Sequence, residues 1–140
     1  MTSIAPARHA TTMSAEDGIR RAILQYTQAH DVYDTEGLVR VWSEDGLFVT
    51  TNGEYRGLAS IREFHEGRRT RAVEDVQNRL MAADPLITVH GSTAEALTSV
   101  IGLRRTRDEP WAVAFFAQWA DKFIQRGDIW LFTERRVLYP

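Results

Sequence analysis

The sequence predicts an α+β fold in one domain. Apolar residues recur at helical spacing in the first part of the chain, and long alternating stretches fill the part after about residue 76. Only short turn segments separate the last of those stretches, so they are expected to pair antiparallel as a meander. Helices gathered on one face of such a sheet define the class. Strands this long must twist and curl, so the expected shape is a cone-shaped, curled antiparallel or mixed sheet covered by three N-terminal helices.

The first helix starts at Ser14-Ala15-Glu16-Asp17, where a serine N-cap precedes two acids suited to the positive end of the helix dipole. Ile19, Ala22, Ile23, Tyr26 and His30 carry it into the low thirties. Leu38, Val39, Val41 and Trp42 are the apolar positions of a second helix, expected to end near Glu44-Asp45-Gly46. Leu47 to Thr51 reads as a strand, Asn52-Gly53 as a hairpin turn, and Tyr55 begins the return. After Gly57, Leu58, Ile61 and Phe64 or His65 fit a third helix that closes near Gly67, followed by a charged linker to about Asp75.

Gln77 to Val89 is one extended stretch, bent at Asp84-Pro85 because proline cannot donate to a ladder. Thr93 to Arg105, Trp111 to Ile124 and Ile129 to Tyr139 are three long strands. In the last two, both alternating faces are substantially apolar, where a solvated outer face would be polar. One face is expected to meet the helices and a pocket, and the other a second subunit, so a homodimer through the sheet is the expected assembly.

Composition narrows the chemistry. The chain has 140 residues, 44% of them apolar, and a formal net charge of −2. It has no cysteine, which excludes a disulfide framework and a thiolate nucleophile and agrees with a cytoplasmic location. Its arginine clusters have acidic neighbours, so no nucleic-acid partner is expected. No apolar run approaches the roughly 20 residues needed to span a bilayer, so no membrane partner is expected either. Residues 1–13 lack an apolar signal core and read as a flexible tail ahead of a single domain over 14–140. The four histidines lie apart without metal-ligand spacing, and no glycine-rich phosphate loop is present, so neither metal nor cofactor is expected.

Four local patterns, in order, carry a resemblance. Tyr26, Asp31 and Asp34 precede Leu38 and Trp42-Ser43-Glu44-Asp45-Gly46; Gly57 to Phe64 has the form Gly-x-x-x-Ile-x-x-Phe; Asp84 to Ala94 holds a Pro-x-Ile-x-Val-x-Gly hairpin; and Trp119-Ala120-Asp121-Lys122-Phe123 is followed by Trp130 and Arg135. Together they resemble the SnoaL-like families of the nuclear transport factor 2-like superfamily, over roughly Asp17 to Leu138. The resemblance implies a cystatin-like cone. Such families include dehydratases, polyketide cyclases and isomerases, and also the non-catalytic small subunits of ring-hydroxylating dioxygenases. Fold alone does not choose among these.

The resemblance assigns Asp31 as a general base working with a histidine, and Arg135 as a stabiliser of negative charge in the pocket. Helical geometry bears on the same residues. Asp31 falls about 140° from Tyr26, off the apolar stripe. His30, four residues after Tyr26 and seven after Ile23, shares their face, where it is either an acid–base group or a satisfied core histidine. Asp34, four residues further, is placed to orient His30, and Tyr26 either lines the pocket or is core. Trp42, Phe48, Phe64, Phe116 and Trp119 are the expected apolar wall. His65 is read as a surface residue at the pocket mouth, Asp121 as a strand ion pair, and Arg136 as the opposite-face competitor of Arg135.

One departure stands out. Dehydratase-like relatives carry an Arg-His pair just before the hairpin, where this chain has Gln77-Asn78-Arg79-Leu80-Met81. The expected function is a cofactor-independent lyase or isomerase, of dehydratase or cyclase type, acting on a small apolar oxygenated ring compound. Proton transfer would fall to His30 or Asp31, with Arg135 or Tyr26 steadying the charge. The alternative is a non-catalytic binding module or a structural partner of an oxygenase.

Overall fold

The computed structural model describes residues 13–140. The predicted tail, apart from Met13, lies outside the described residues. The elements run α1 (Ala15–Asp31), α2 (Thr35–Arg40), β1 (Trp42–Thr50), β2 (Gly53–Arg56), α3 (Leu58–Thr70), β3 (Val76–Ala82), β4 (Leu86–His90), β5 (Thr93–Thr106), β6 (Ala112–Arg126) and β7 (Ile129–Leu138).

The strands form one mixed seven-stranded sheet in the order β2-β1-β7-β6-β5-β3, with β4 beside β3 on the far edge of β5. Every pairing is antiparallel except β1 with β7. The helices lie on one face: α1 against β3, β4 and β7, and α3 against β1 and β2. This is the α+β architecture expected from the periodicities, including the meander β5-β6-β7.

Local chemistry sets the element ends. The Ser14 hydroxyl accepts from the Asp17 amide at 3.1 Å and caps α1. Ile19, Ala22, Ile23, Tyr26 and Ala29 form its buried stripe. The Asp34 carboxylate accepts from the Gly37 amide at 3.0 Å and caps α2. Gly57 precedes α3 at φ 85°, a conformation open mainly to glycine.

Two predicted boundaries are corrected. The second helix stops at Arg40, and Trp42 opens β1 instead of closing a helix. Residues 43–46 bulge out of the β1–β7 ladder, since Trp42 pairs Phe132 and Leu47 pairs Glu134. Gly46 lies against the Trp42 ring, where an added Cβ would sit 2.5 Å from Cε3. The third helix continues past Gly67 to Thr70, so Arg68 is helical rather than part of a linker.

Two further bulges place the site. Phe132 pairs Phe123 and Glu134 pairs Lys122, which leaves Thr133 as an extra residue in β7. Phe132 and Arg135 therefore both face the helices, although simple alternation puts them on opposite faces. Likewise Gly102 pairs Phe115 and Leu103 pairs Val113, leaving Ala114 unpaired in β6.

The core between helices and sheet is aromatic. Trp42, Phe48, Trp119, Phe123 and Phe132 are buried with Tyr26, Ile19, Ile23 and Ile61. Each large apolar side chain removed from water contributes about 1.5–3 kcal/mol. The rings meet edge-on or tilted, as between Tyr26 and Trp119 at 5.5 Å and between Phe123 and Phe132 at 4.6 Å.

Candidate active site

Arg135 is the largest fully buried side chain of the core. Its Nε donates to Asp121 Oδ1 at 2.7 Å and its Nη2 to Asp121 Oδ2 at 2.8 Å. The guanidinium lies 3.6 Å from the Trp119 ring centre and 4.3 Å from that of Tyr26. Burial pushes the Asp121 carboxyl upward, against the pull of Arg135. Burial likewise raises Tyr26, again opposed by Arg135.

Tyr26 connects this pair to two histidines. His30 stacks on one side, with ring centres 6.4 Å apart and planes 20° apart, and His65 meets it edge-on at 5.8 Å. His65 is 2% exposed, and neither ring nitrogen has a hydrogen-bond partner. Burial, with the nearby His30, Arg68 and Arg135 charges, lowers its pKa from 6.5 to about 3. It is a neutral imidazole at neutral pH.

His30 sits at the last turn of α1, on the wall of a pocket of about 500 Å³. The pocket opens between the C-terminal ends of α1 and α3 and strands β3, β5 and β6. His30, Tyr33, Arg68 and Asn78 are its inner polar groups; Leu80, Leu103 and Phe115 are apolar wall. A cavity of this size suits a small organic molecule.

His30 Nδ1 lies 3.3 Å from Asp31 Oδ1. The same carboxylate oxygen accepts from the Leu80 amide at 3.0 Å, which fixes it against β3. With the proton on Nδ1 the imidazole donates to this carboxylate and Nε2 is the basic nitrogen, whereas in the other tautomer Nδ1 accepts from Arg68 Nη2 at 3.4 Å. Burial lowers the His30 pKa, Asp31 raises it back, and Arg68 opposes protonation. The Arg68 guanidinium donates to the His30 carbonyl at 2.9 Å, approaches Nδ1 at 3.4 Å, and covers the Tyr33 ring at 4.2 Å. Asn78 donates to the Tyr33 hydroxyl at 3.2 Å.

The other residues picked out from sequence fall elsewhere. Arg135 and Tyr26 are buried behind the pocket and do not line it. Asp34 does not orient His30: it caps α2 and lies in a separate groove between α1 and the start of β7, and Asp31 takes the orienting place. Trp42, Phe48 and Trp119 are core, because the aromatic side chains fill the interior of the cone. Phe64 is half-buried against Phe48 and Tyr55. Phe116 projects from the outer face of the sheet at 46% exposure, because β6 alternates Phe115 inward and Phe116 outward. Arg136 is also outside, paired with Glu134 at 2.9 Å.

Arg68, Tyr33 and Asn78 are not among the site residues expected from the sequence, and His65, expected at the surface, is buried because α3 turns it toward the core. A signal for two of them was present: Ile61, His65 and Arg68 are spaced four and three apart, so one face of α3 carries all three inward. Tyr33 and Asn78 gave no periodic signal, since Tyr33 has a positive φ of 57° after the helix and Asn78 depends on the β3 register.

Among the described residues no helix is long and apolar enough to cross a membrane, and no three metal-ligating side chains gather. No curated protein matches the chain. Solved structures do match. A protein with a cystatin-like fold from Novosphingobium aromaticivorans, described as NTF2-like, superposes with a TM-score of 0.78 at 23% identity, over 88% of this chain and 80% of that one. A candidate scytalone dehydratase from the same organism gives 0.74 at 19%, over 89% and 83%. ActVI-ORFA from Streptomyces coelicolor gives 0.78 at 16%, over 88% and 95%. These likenesses establish the cystatin-like, NTF2-like fold. The sequence itself matches the SnoaL-like domain model from residue 11 to residue 136, nearly its whole length, and on that match the chain belongs to the SnoaL-like domain family.

Proposed function

We propose that this protein is a cofactor-independent lyase or isomerase of dehydratase or cyclase type, which moves a proton on a small oxygenated ring compound. The observation that carries the reading is the His30–Asp31 contact at 3.3 Å on the wall of the pocket. A carboxylate that holds one imidazole nitrogen leaves the other as a directed base. The lowered His30 pKa keeps that nitrogen unprotonated at neutral pH. Arg68, beside the imidazole, is the nearest cation to steady the enolate-like charge left on the substrate.

The test is turnover of a panel of hydroxylated ring ketones by the wild type, His30→Ala and Asp31→Asn. Loss of turnover in both variants, with ligand binding retained, supports the reading. Wild-type turnover that survives His30→Ala removes it. The rate should also fall as pH drops through the lowered His30 pKa, because the base is then protonated.

A second reading, a non-catalytic binding module, is favoured by one observation. Arg135 and Tyr26 lie behind the pocket wall, and His30 is the only histidine among the pocket-lining residues. Binding without turnover of any panel member would select it. We further propose a homodimer through the outer sheet face, where Met81, Ile101 and Phe116 form an exposed cross-strand row.

A further inference from the structure

The pocket beside His30 is unusual in charge. Arg68, Arg71, Arg79 and Arg104 all line it, and no aspartate or glutamate does, in a chain whose net charge is −2. None of the four forms an ion pair among the described residues, whereas Arg20, Arg62, Arg69, Arg107 and Arg135 all do. Their contacts are with neutral groups. Arg68 meets the His30 carbonyl and the Tyr33 ring, Arg104 donates to Asn78 Oδ1 at 3.1 Å, and Arg79 lies 5.9 Å from the Trp111 ring. Asp31, the nearest carboxylate behind His30, is engaged by His30 and the Leu80 amide.

Arg68, Arg71 and Arg104 bring three like charges around one concavity, where they repel each other, and a concave site with low-dielectric walls focuses their field. Nothing in the fold of these strands requires the clustering. The arginines come from three separate stretches: Arg68 and Arg71 from the end of α3, Arg79 from β3 and Arg104 from β5. The register sets Arg104 opposite Asn78 on the helix side of the sheet, beside the end of α3, while Arg79, opposite Leu103, turns to the outer side toward Trp111 and borders the pocket only at its edge. The opposite wall is apolar and holds Phe115 across Gly102, with Leu80 and Leu103 beside it. One rim thus attracts an anion and one wall accepts a flat hydrocarbon face.

We propose that the ligand of this pocket is a planar ring compound bearing a carboxylate, with the ring against Phe115 and Leu80 and the carboxylate on the arginine rim. The guanidinium fork matches a carboxylate in two-point geometry. The inference rests on the reading of the pocket as the working site and narrows its substrate class from an oxygenated ring compound to one that carries a carboxylate.

Calorimetric titration with 2-naphthoate, 2-naphthamide and inorganic phosphate tests it. The expected result is that 2-naphthoate binds about ten-fold or more tightly than 2-naphthamide, since a charge-assisted hydrogen bond is lost in the amide. It should also bind more tightly than phosphate, which lacks the ring. Arg71→Gln with Arg104→Gln should remove that preference, and Arg71→Lys with Arg104→Lys should restore part of it. Circular dichroism checks that the variants keep their fold, and rising salt should weaken the binding of naphthoate but not of naphthamide. Equal binding of naphthoate and naphthamide overturns the proposal, as does binding of phosphate at least as tight as naphthoate. Failure of 2-naphthoate to bind at millimolar concentration also overturns it. The result is separable from catalysis. A protein that turns over neutral ring ketones without a carboxylate preference keeps its proposed function and loses this inference. One that binds naphthoate selectively but turns nothing over does the reverse.

Discussion

Asp121 and Arg135 stand opposite each other on β6 and β7 and close a two-pronged ion pair from which water is wholly excluded. The extra residue Thr133 turns Arg135 inward, and Trp119, Tyr26 and Phe132 cover its guanidinium. Both charges have lost their hydration, so the pair fixes geometry more than it adds stability.

Removing one partner leaves the other charged and dry. Arg135→Met or Asp121→Leu alone should cost about 3–5 kcal/mol. The double variant should cost well under the sum, because neither charge is then stranded. Urea unfolding of the four proteins measures this. Additive losses would show that the two side chains do not act as a unit.

His65 predicts a pH effect. It packs on Phe48 with planes 19° apart, with no partner for either nitrogen and a pKa near 3. The unfolded chain takes up that proton near 6.5, the folded protein only near 3. Between those values unfolding gains a proton, so stability falls as pH drops, by up to about 1.4 kcal/mol per pH unit for one group. His30 is shifted the same way and adds to the slope. His65→Phe, which cannot take the proton, should lose less stability than wild type between pH 6.5 and 4 in urea titrations. Parallel curves would clear His65 as a cause.

Much of the fold could be read from local chemistry. Ser14, Asn52-Gly53, Gly57 and Pro85 each mark a break that the structure keeps, because caps and turns depend on the residue at the spot. The bulges could not be read. No residue type marks Thr133 or Ala114 as extra, yet each reverses the faces of the residues beyond it in the strand, so alternation groups Arg135 with Ile129 and Leu131 although it faces the same way as Phe132. Asp31 shows the other limit. Helical angles place it off the apolar stripe, and its half-buried position comes from β3, whose Leu80 amide reaches it. Periodicity reports an element's own faces and is silent on a neighbour's backbone. For the same reason His30 was legible as inward-facing, while Asp31 as its partner was not.

Gly102 is needed for the pocket floor. The Phe115 ring lies directly over it, and a Cβ there would come within 2.0 Å of Phe115 Cε2. Gly102→Ala must push the ring aside, which for overpacking costs about 1–3 kcal/mol. Since Gly102 and Phe115 both line the pocket, the displaced ring should also weaken binding of 2-naphthoate. Calorimetry and urea unfolding give the two readouts. Unchanged binding with reduced stability would confine Phe115 to packing.

The last prediction concerns the outer face. Met81, Ile101 and Phe116 are opposed in register on β3, β5 and β6, and are 55%, 40% and 46% exposed. Leu97 and Ala120 form a further opposed pair on β5 and β6 of the same sheet. In a two-fold dimer the same patch serves both subunits, so a substitution enters the interface twice. Phe116→Lys therefore introduces two ammonium groups where two rings met, and each must lose water near a like charge. The wild type should scatter light as a dimer at micromolar concentration and Phe116→Lys as a monomer, with unchanged circular dichroism. The Phe116 side chain points to the face opposite the pocket, so 2-naphthoate binding should persist in the monomer. A monomeric wild type would leave these side chains exposed on a free surface and sink the dimer proposal.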